Sequence, residues 1–474
     1  MSANVFEAFL STPEMLALVS DGAVVQAMMD FEAALARAQG RLGVIPPQAA
    51  QAIASLCRAE LYDVPAMLAA SGRAGSLAIP LVNKLTETVA LFDPVSAGYV
   101  HWGSTSQDVI DSAMVLLTRR ALRLLDDDLL ALVGDLLELA EAQAATPLLA
   151  RTLLQPAQVS SLRFRVLGWL MPLLRGVQQL RRAADEALLL QFGGAVGTLS
   201  SLGEQAEAVA AAVAAELRLP LPEMPWHTQR DRWVRLGAEL GVLCGSLGKL
   251  AGDLALLGQA EVGELAEPVA GGRGGSSAMP NKRNPVACMQ ALAAARRAPQ
   301  RVAALLACMG QEQERGLGGW QAELAEWSGL LLNAHGAVRA MAEAVRGLQL
   351  FPARMLCNID AQQDLVFAEG LTQWLAQSLG RREARLRVDS LCARVLAGEG
   401  PLRQLARQQA GAMVPPLDGA ALDAVFDVHR AAAQADARVR LALPEARRQW
   451  ARLRADSPYP TFSSSSTSSS DATP

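Results

Sequence analysis

Reactive groups crowd into one stretch, Gly271-Gly-Arg-Gly-Gly-Ser-Ser-Ala-Met-Pro-Asn-Lys-Arg-Asn-Pro285. Adjacent hydroxyls stand at Ser276 and Ser277, cations at Arg273, Lys282 and Arg283, and an amide at Asn284. Gly271, Gly272, Gly274, Gly275 and Pro280 keep the stretch out of regular structure. Pro285 suits the first position of a helix beginning at Val286. Such a loop, running into a helix N-terminus, offers free N–H donors and the positive end of a helix dipole to an anion. Composition alone also fits a plain inter-helix linker carrying surface charges.

Other polar clusters lie far off in the chain. His101-Trp-Gly-Ser-Thr-Ser-Gln-Asp108 packs an imidazole, three hydroxyls, an amide and a carboxylate into eight residues. It reads either as an elaborate helix N-cap or as a binding site; capping alone leaves His101 and Trp102 unexplained. Arg151-Thr-Leu-Leu-Gln-Pro-Ala-Gln158 is a polar joint. Gln191-Phe-Gly-Gly-Ala-Val-Gly-Thr198 is a Gly-rich turn without the spacing or preceding strand of a nucleotide loop. Trp226-His-Thr-Gln-Arg-Asp-Arg232 carries His227, either a cap neighbour or a site residue. In Glu314-Arg-Gly-Leu-Gly-Gly319, Arg315 reads as a carboxylate clamp or as a surface salt-bridge partner.

These clusters sit at the ends of long helical patterns. Asp21–Gly40 reads as a helix. From Val109 to about Ala145, apolar residues recur at Leu117, Ala121, Leu125, Leu129, Leu132 and Leu136 with no proline between. Some 35 helical residues reach about 50 Å. Further helices are expected at 157–190 (kinked at Pro172), 202–217, 230–266, 286–313 and 320–348. The expected architecture is all-α: a mixed helical N-terminal domain (1–110), an elongated bundle (111–352), a smaller helical domain (353–456), and a disordered serine-rich tail (457–474). Leucine-rich helices of this length cannot bury every apolar stripe within one five-helix bundle, so self-association is expected.

Composition narrows the function classes. The chain has 474 residues, 51% hydrophobic but only 4% aromatic, and a net charge of −4, so no basic footprint for nucleic acid exists. Six cysteines lack C-x-x-C spacing, which fits reduced thiols in a cytoplasmic protein. No signal peptide and no membrane span are expected. His101, His227, His335 and His429 form no ligand-spaced pair, so no metal is expected.

Gly275-Ser-Ser-Ala-Met-Pro-Asn-Lys-Arg-Asn-Pro285 resembles the signature loop of the fumarase/aspartase superfamily, G-S-S-x-M-P-x-K-x-N-P, at every fixed position. The 101–108 cluster resembles that family's first conserved region, and 191–198 its G-G-A-x-G-T run. The resemblance implies an all-α homotetramer whose active sites are each built from three subunits, acting without cofactor on a small polycarboxylate through a dianionic aci-carboxylate. It assigns proton transfer to Ser276, with Ser277 poorly separated from it, and charge stabilisation to Lys282. Thr105, Ser106, Thr152, Gln155, Asn284, Arg315, His101 and His227 are then the substrate-binding candidates. Most lyases of the family carry T-H-x-Q in the second region and a glutamate soon after the loop. Here Leu153 and Met289 take those places. Losing both partners together implies a reaction whose leaving group needs no acid, as when the substrate's own carboxylate adds to or leaves a double bond. The resemblance therefore implies the cycloisomerase branch, lactonising 3-carboxy-cis,cis-muconate. A sulfonated analogue, a β-elimination lyase of the adenylosuccinate type and a catalytically silent homologue stand as alternatives.

Overall fold

Five long helices carry the molecule: Ser106–Ala142, Leu162–Ala187, Asp231–Leu257, Val286–Ala307 and Gly319–Arg346. The structure, a computed structural model, describes residues 5–268, 274–411, 418–456 and 458–459. Gly271–Arg273 and the serine-rich run 463–470 lie outside them. The Ser106–Ala142 helix starts where the Asp108 carboxylate accepts the Thr105 N–H at 3.1 Å. Its 37 residues bury Leu117, Ala121, Leu125, Leu129, Leu132 and Leu136, against the Asp21–Arg41, Leu162–Ala187 and Gly319–Arg346 helices. The second long helix is capped by Ser161 and runs through Pro172 unbroken.

Asp231–Leu257 is the one described helix long and apolar enough to cross a membrane by composition. It is instead a bundle helix. It packs against Leu162–Ala187, Val286–Ala307 and Gly319–Arg346 through Leu236, Leu240, Leu243, Leu247, Leu250, Leu254 and Leu257, all buried. Each such leucine contributes about 2 kcal/mol on leaving water.

The described residues are mostly helical, as expected, but two small antiparallel sheets appear that the sequence did not announce. The joint before the second long helix is a hairpin, β1 (Pro147–Thr152) and β2 (Gln155–Ser161), so that helix begins at Leu162 rather than 157. Tertiary packing explains this. Successive strand side chains face opposite ways, and here Leu148 enters the bundle core while Leu149 enters a second, C-terminal core. The hairpin is the seam between them. Its two-residue loop, Leu153-Leu154, holds φ of +50° and +64°, a turn normally signalled by Asn-Gly; leucines hid it. The third long helix ends at Leu257, not 266, because Leu265–Ala266 (β3) pairs with Gln349–Leu350 (β4). The fourth stops at Ala307, short of 313, and an irregular segment carries the chain to Gly319.

Two buried cores result. One unites residues of the N-terminal helices with the long bundle. The smaller one joins Leu149 to residues between Ile359 and Phe426. The last helix, Ala442–Ala455, returns to the bundle and packs on Ser106–Ala142 and Leu162–Ala187. Beyond it Tyr459 is buried in the larger core. Arg181 secures this return: it forks onto Asp126 at 2.8 and 2.7 Å and donates to the Asp456 carbonyl at 2.8 Å. Tyr459→Ala should therefore cost roughly 3 kcal/mol, by analogy with buried aromatic truncations. Calorimetry should show a melting temperature lowered by several degrees; an unchanged one would mean that the chain's end is not part of the core.

Candidate active site

Two carboxylates in the first two turns of the Ser106–Ala142 helix organise a buried polar region of the fold. Asp108 is fully buried. It accepts N–H groups of Thr105 at 3.1 Å, Gly193 at 3.0 Å and Gly194 at 2.9 Å, and bonds His227 Nε2 at 2.7 Å. Gly193 has no room for more: a Cβ there would lie 2.7 Å from the His227 ring and from Pro225. Asp111, one turn on, accepts Arg230 through both Nη atoms (2.9 and 3.2 Å), Trp320 Nε1 at 2.9 Å and Gln107 Nε2 at 3.0 Å. Arg230 is also buried and forks onto Glu323. Burial disfavours the charge of Arg230, yet the Asp111 and Glu323 carboxylates outweigh this and leave its pKa raised.

His227 is thus buried and spent on Asp108, an anchor for the 226–230 segment. His101 is placed differently. It sits at φ +61° in the loop before the helix, with Nδ1 2.6 Å from Oε1 of the buried Glu32. Burial works against a charged imidazole, but the Glu32 carboxylate overcomes it by charge and hydrogen bond, so the His101 pKa is raised. Arg315 Nη2 donates to the Gly194 carbonyl at 2.7 Å. Partial burial lowers its pKa, against the pull of Asp108 and Asp111. Thr105, Ser106, His101 and Arg315 therefore gather around one Asp108-centred assembly.

The other candidates lie elsewhere. Thr152 and Gln155 flank the hairpin tip, where Leu153 is 97% and Leu154 72% exposed. In the loop, Ser276 Oγ accepts the N–H groups of Met279 at 3.1 Å and Ala278 at 3.3 Å. Such donors favour the deprotonated oxygen. Ser277 and Lys282 are exposed. The loop's ends are pinned. Glu267 accepts Ala287 N at 3.0 Å and Cys288 N at 2.8 Å, capping the Val286–Ala307 helix, and Asn284 N donates to Gly274 O at 2.8 Å. Gly274 is required there, since at φ +79° a Cβ would meet the Asn284 carbonyl at 2.6 Å. Lys282, Arg283 and Asn284 line a cavity of about 500 Å³ against the end of the Asp231–Leu257 helix.

Among the described residues, no hydrogen bond or ion pair links the Asp108 assembly, the hairpin tip and the loop to one another. One chain presents three separate groups. Sequence reasoning named the candidates, with Asp108 only as a carboxylate of the 101–108 cluster, but missed the other residues that hold their segments: Glu32, Asp111, Glu267 and Glu264, which binds Arg151 beside Thr152. Asp108 left a signal, an acid at the third helical position after Thr105. Glu32 and Glu264 left none, because their partners are 69 and 113 residues away.

A family model described as lyase matches residues 9–299. The chain is 46% identical over 442 residues to 3-carboxy-cis,cis-muconate cycloisomerase of Pseudomonas aeruginosa, covering 93% of this chain and 96% of that one. It is 43% identical over 396 residues to the enzyme of the same name from Bradyrhizobium diazoefficiens, covering 84% and 88%. The crystal structure of 3-carboxy-cis,cis-muconate lactonizing enzyme from Pseudomonas putida superposes with a TM-score of 0.87 at 40% identity, covering 95% of this chain and 100% of that one.

The Glu32–His101 pair makes a prediction that needs no substrate. With only four histidines in the chain, the His101 imidazole can be followed by NMR. It should titrate above the ordinary value of about 6.5, and Glu32→Gln should move the midpoint down. Because the folded-state pKa is the raised one, the pair stabilises the fold fully below about pH 6.5 and loses that contribution as pH climbs through the raised value. A midpoint unmoved by Glu32→Gln would remove the pair from the account.

Proposed function

The chain belongs to the lyase family of the fumarase/aspartase superfamily, and from that premise we propose that it is a cofactor-free cycloisomerase that lactonises 3-carboxy-cis,cis-muconate. The observation that carries the reading is the double replacement at Leu153 and Met289, two apolar side chains where related lyases keep an acid–base pair, beside an intact Ser276, Lys282 and Asn284 loop. Likeness to cycloisomerases over nearly the full chain supports it.

The reaction balances without any further reagent than a proton. An oxygen of one substrate carboxylate supplies the electron pair of the new C–O bond. The double bond's pair moves to the neighbouring carbon and its carboxylate, giving the aci-carboxylate dianion. One proton delivered to that carbon completes the lactone, and no group departs. Ser276 is the proton-transfer residue in this scheme. The oxyanion it leaves on giving up its proton is met by the Ala278 and Met279 N–H groups that already face Oγ and by the Lys282 cation. Ser277 is its neighbour in the loop. Thr105, Ser106, Thr152, Gln155, Asn284, Arg315 and His101 bind the remaining carboxylates, with His227 acting through Asp108.

The working unit is a cytoplasmic homotetramer in which three chains supply the three groups of each site. Two features support this: the groups are apart within one chain, and the exposed leucines of the hairpin tip call for an apolar cover. A turn of two leucines held at positive φ costs roughly 1–2 kcal/mol per residue, strain of a kind that gathers at functional sites.

Loss of the conjugated-diene absorbance when the protein meets 3-carboxy-cis,cis-muconate tests the activity. Wild type should consume the signal, and Ser276→Ala should lower kcat by roughly 10²–10⁴. Turnover of adenylosuccinate, or of a sulfonated muconate in place of the carboxylated one, would sink the substrate assignment. Site sharing has its own check. Mixing inactive Ser276→Ala and Thr105→Val chains through reversible denaturation should restore part of the activity, because some mixed sites receive only intact groups. No recovery from folded mixed tetramers would mean that each site is built from one chain.

A further inference from the structure

Glu264 is a buried carboxylate that the reaction does not use. It is wholly buried, between the end of the Asp231–Leu257 helix and the stem of the signature loop. Its side chain receives Arg151 in a fork, Nη2 on Oε1 at 2.9 Å and Nη1 on Oε2 at 3.2 Å. Asn358 Nδ2 adds a third donor to Oε1 at 2.8 Å. The backbone is fixed as well: Glu264 N donates to Leu257 O at 2.9 Å, and its carbonyl accepts Phe351 N at 3.0 Å.

The partners come from three places. Arg151 lies in β1, immediately before Thr152, and the strand pairing shifts register between Ala150 and Arg151. Such an irregularity re-aims a side chain. Asn358 belongs to the Pro352–Asp360 helix, whose Ile359 enters the C-terminal core. Glu264 itself directly precedes β3, and Glu267, three residues on, caps the helix that closes the loop. One carboxylate thus joins the root of the hairpin, the stem of the loop and the C-terminal core.

We infer that Glu264 is a positioning residue that locks the root of the Thr152–Gln155 hairpin to the stem from which the Ser276-bearing loop leaves. A planar fork fixes orientation as well as distance. Plain stability is a poor reason for the arrangement, since well-packed apolar groups often serve a buried site as well as an ion pair does. Two motif-bearing segments that must each meet substrate need fixed bearings, and misplacement by about 1 Å can cost about 10²-fold in rate. This inference rests on the proposed activity for its kinetic consequence but not for its mechanical one.

Glu264→Gln, which keeps the shape and removes the charge, tests both on the full-length protein. Hydrogen–deuterium exchange should quicken at residues 147–155 and 264–268 while the Ser106–Ala142 helix stays protected. Kinetics should show kcat per folded site lowered about tenfold or more, with KM changed far less. Loosened exchange with wild-type kcat would overturn the positioning role and leave a structural ion pair; unchanged exchange would overturn the lock itself. Should Glu264→Gln not fold, Arg151→Lys keeps the charge but loses the fork, and the same two readouts apply. A wild-type protein inert toward 3-carboxy-cis,cis-muconate would defeat the proposed function, with the exchange result still deciding the lock.

Discussion

Asp108 and Asp111 are carboxylates buried one helical turn apart, and an unpaired charge there would be prohibitive. The fold answers by bringing every neighbouring strand of chain to them. Asp108 takes the helix's own entry loop, the Gly193-Gly194 turn and His227. Asp111 takes Gln107, Arg230 and Trp320, and Arg230 in turn takes Glu323. Satisfying two anions therefore fixes the relative places of residues from 104 to 323. Thr105, Ser106 and Arg315 inherit their positions from this requirement. Site geometry is a by-product of charge burial at the end of a rigid helix.

The same logic explains why polar groups cluster at helix ends. A long apolar helix is stiff and featureless along its length, since its stripe must face the core. Only at its ends do free N–H groups, caps and irregular backbone offer chemistry. A bundle of such helices carries its polar groups apart, and one copy presents them as three separate clusters. The exposed Leu153-Leu154 tip belongs to that pattern: it is strained, apolar and outward.

How legible was this in the sequence? The helices were, because Leu and Ala at helical spacing over some 30 residues admit no other reading. The loop was, because its residue order is so restricted. The hairpin was not: Leu153-Leu154 takes a turn conformation that leucine seldom adopts, and its strands form only because two cores meet across them. Helix ends at Leu257 and Ala307 were missed for a related reason, since β3 pairing and the approach of the 308–318 segment are long-range effects. The positions of the candidates followed from motifs; what holds them did not. Glu32, Glu264 and Glu267 are ordinary glutamates until folding places an imidazole, a guanidinium or a helix N-terminus beside them.

The apolar pair at Leu153 and Met289 bears on the chemistry in a further way. In an elimination, a nearby acid helps because the departing group must gain a proton or its equivalent. In carboxylate addition the demand is reversed. The attacking oxygen must keep its electron pair available, and each hydrogen bond or proton it holds lowers its reactivity. On the cycloisomerase reading, a histidine at position 153 would hold that oxygen more firmly in the ground state, where it carries its full charge, than in the transition state, which slows the addition. On that reading, a leucine would give it no partner and displace water from beside it, leaving cations to gather where the new charge develops, at the far carboxylate. On the cycloisomerase reading, replacing both members of the pair is therefore not a loss of catalytic equipment. It divides the site into an apolar side, where the bond forms, and a donor-rich side around Ser276, Lys282 and Asn284, where the charge arrives and the proton is delivered.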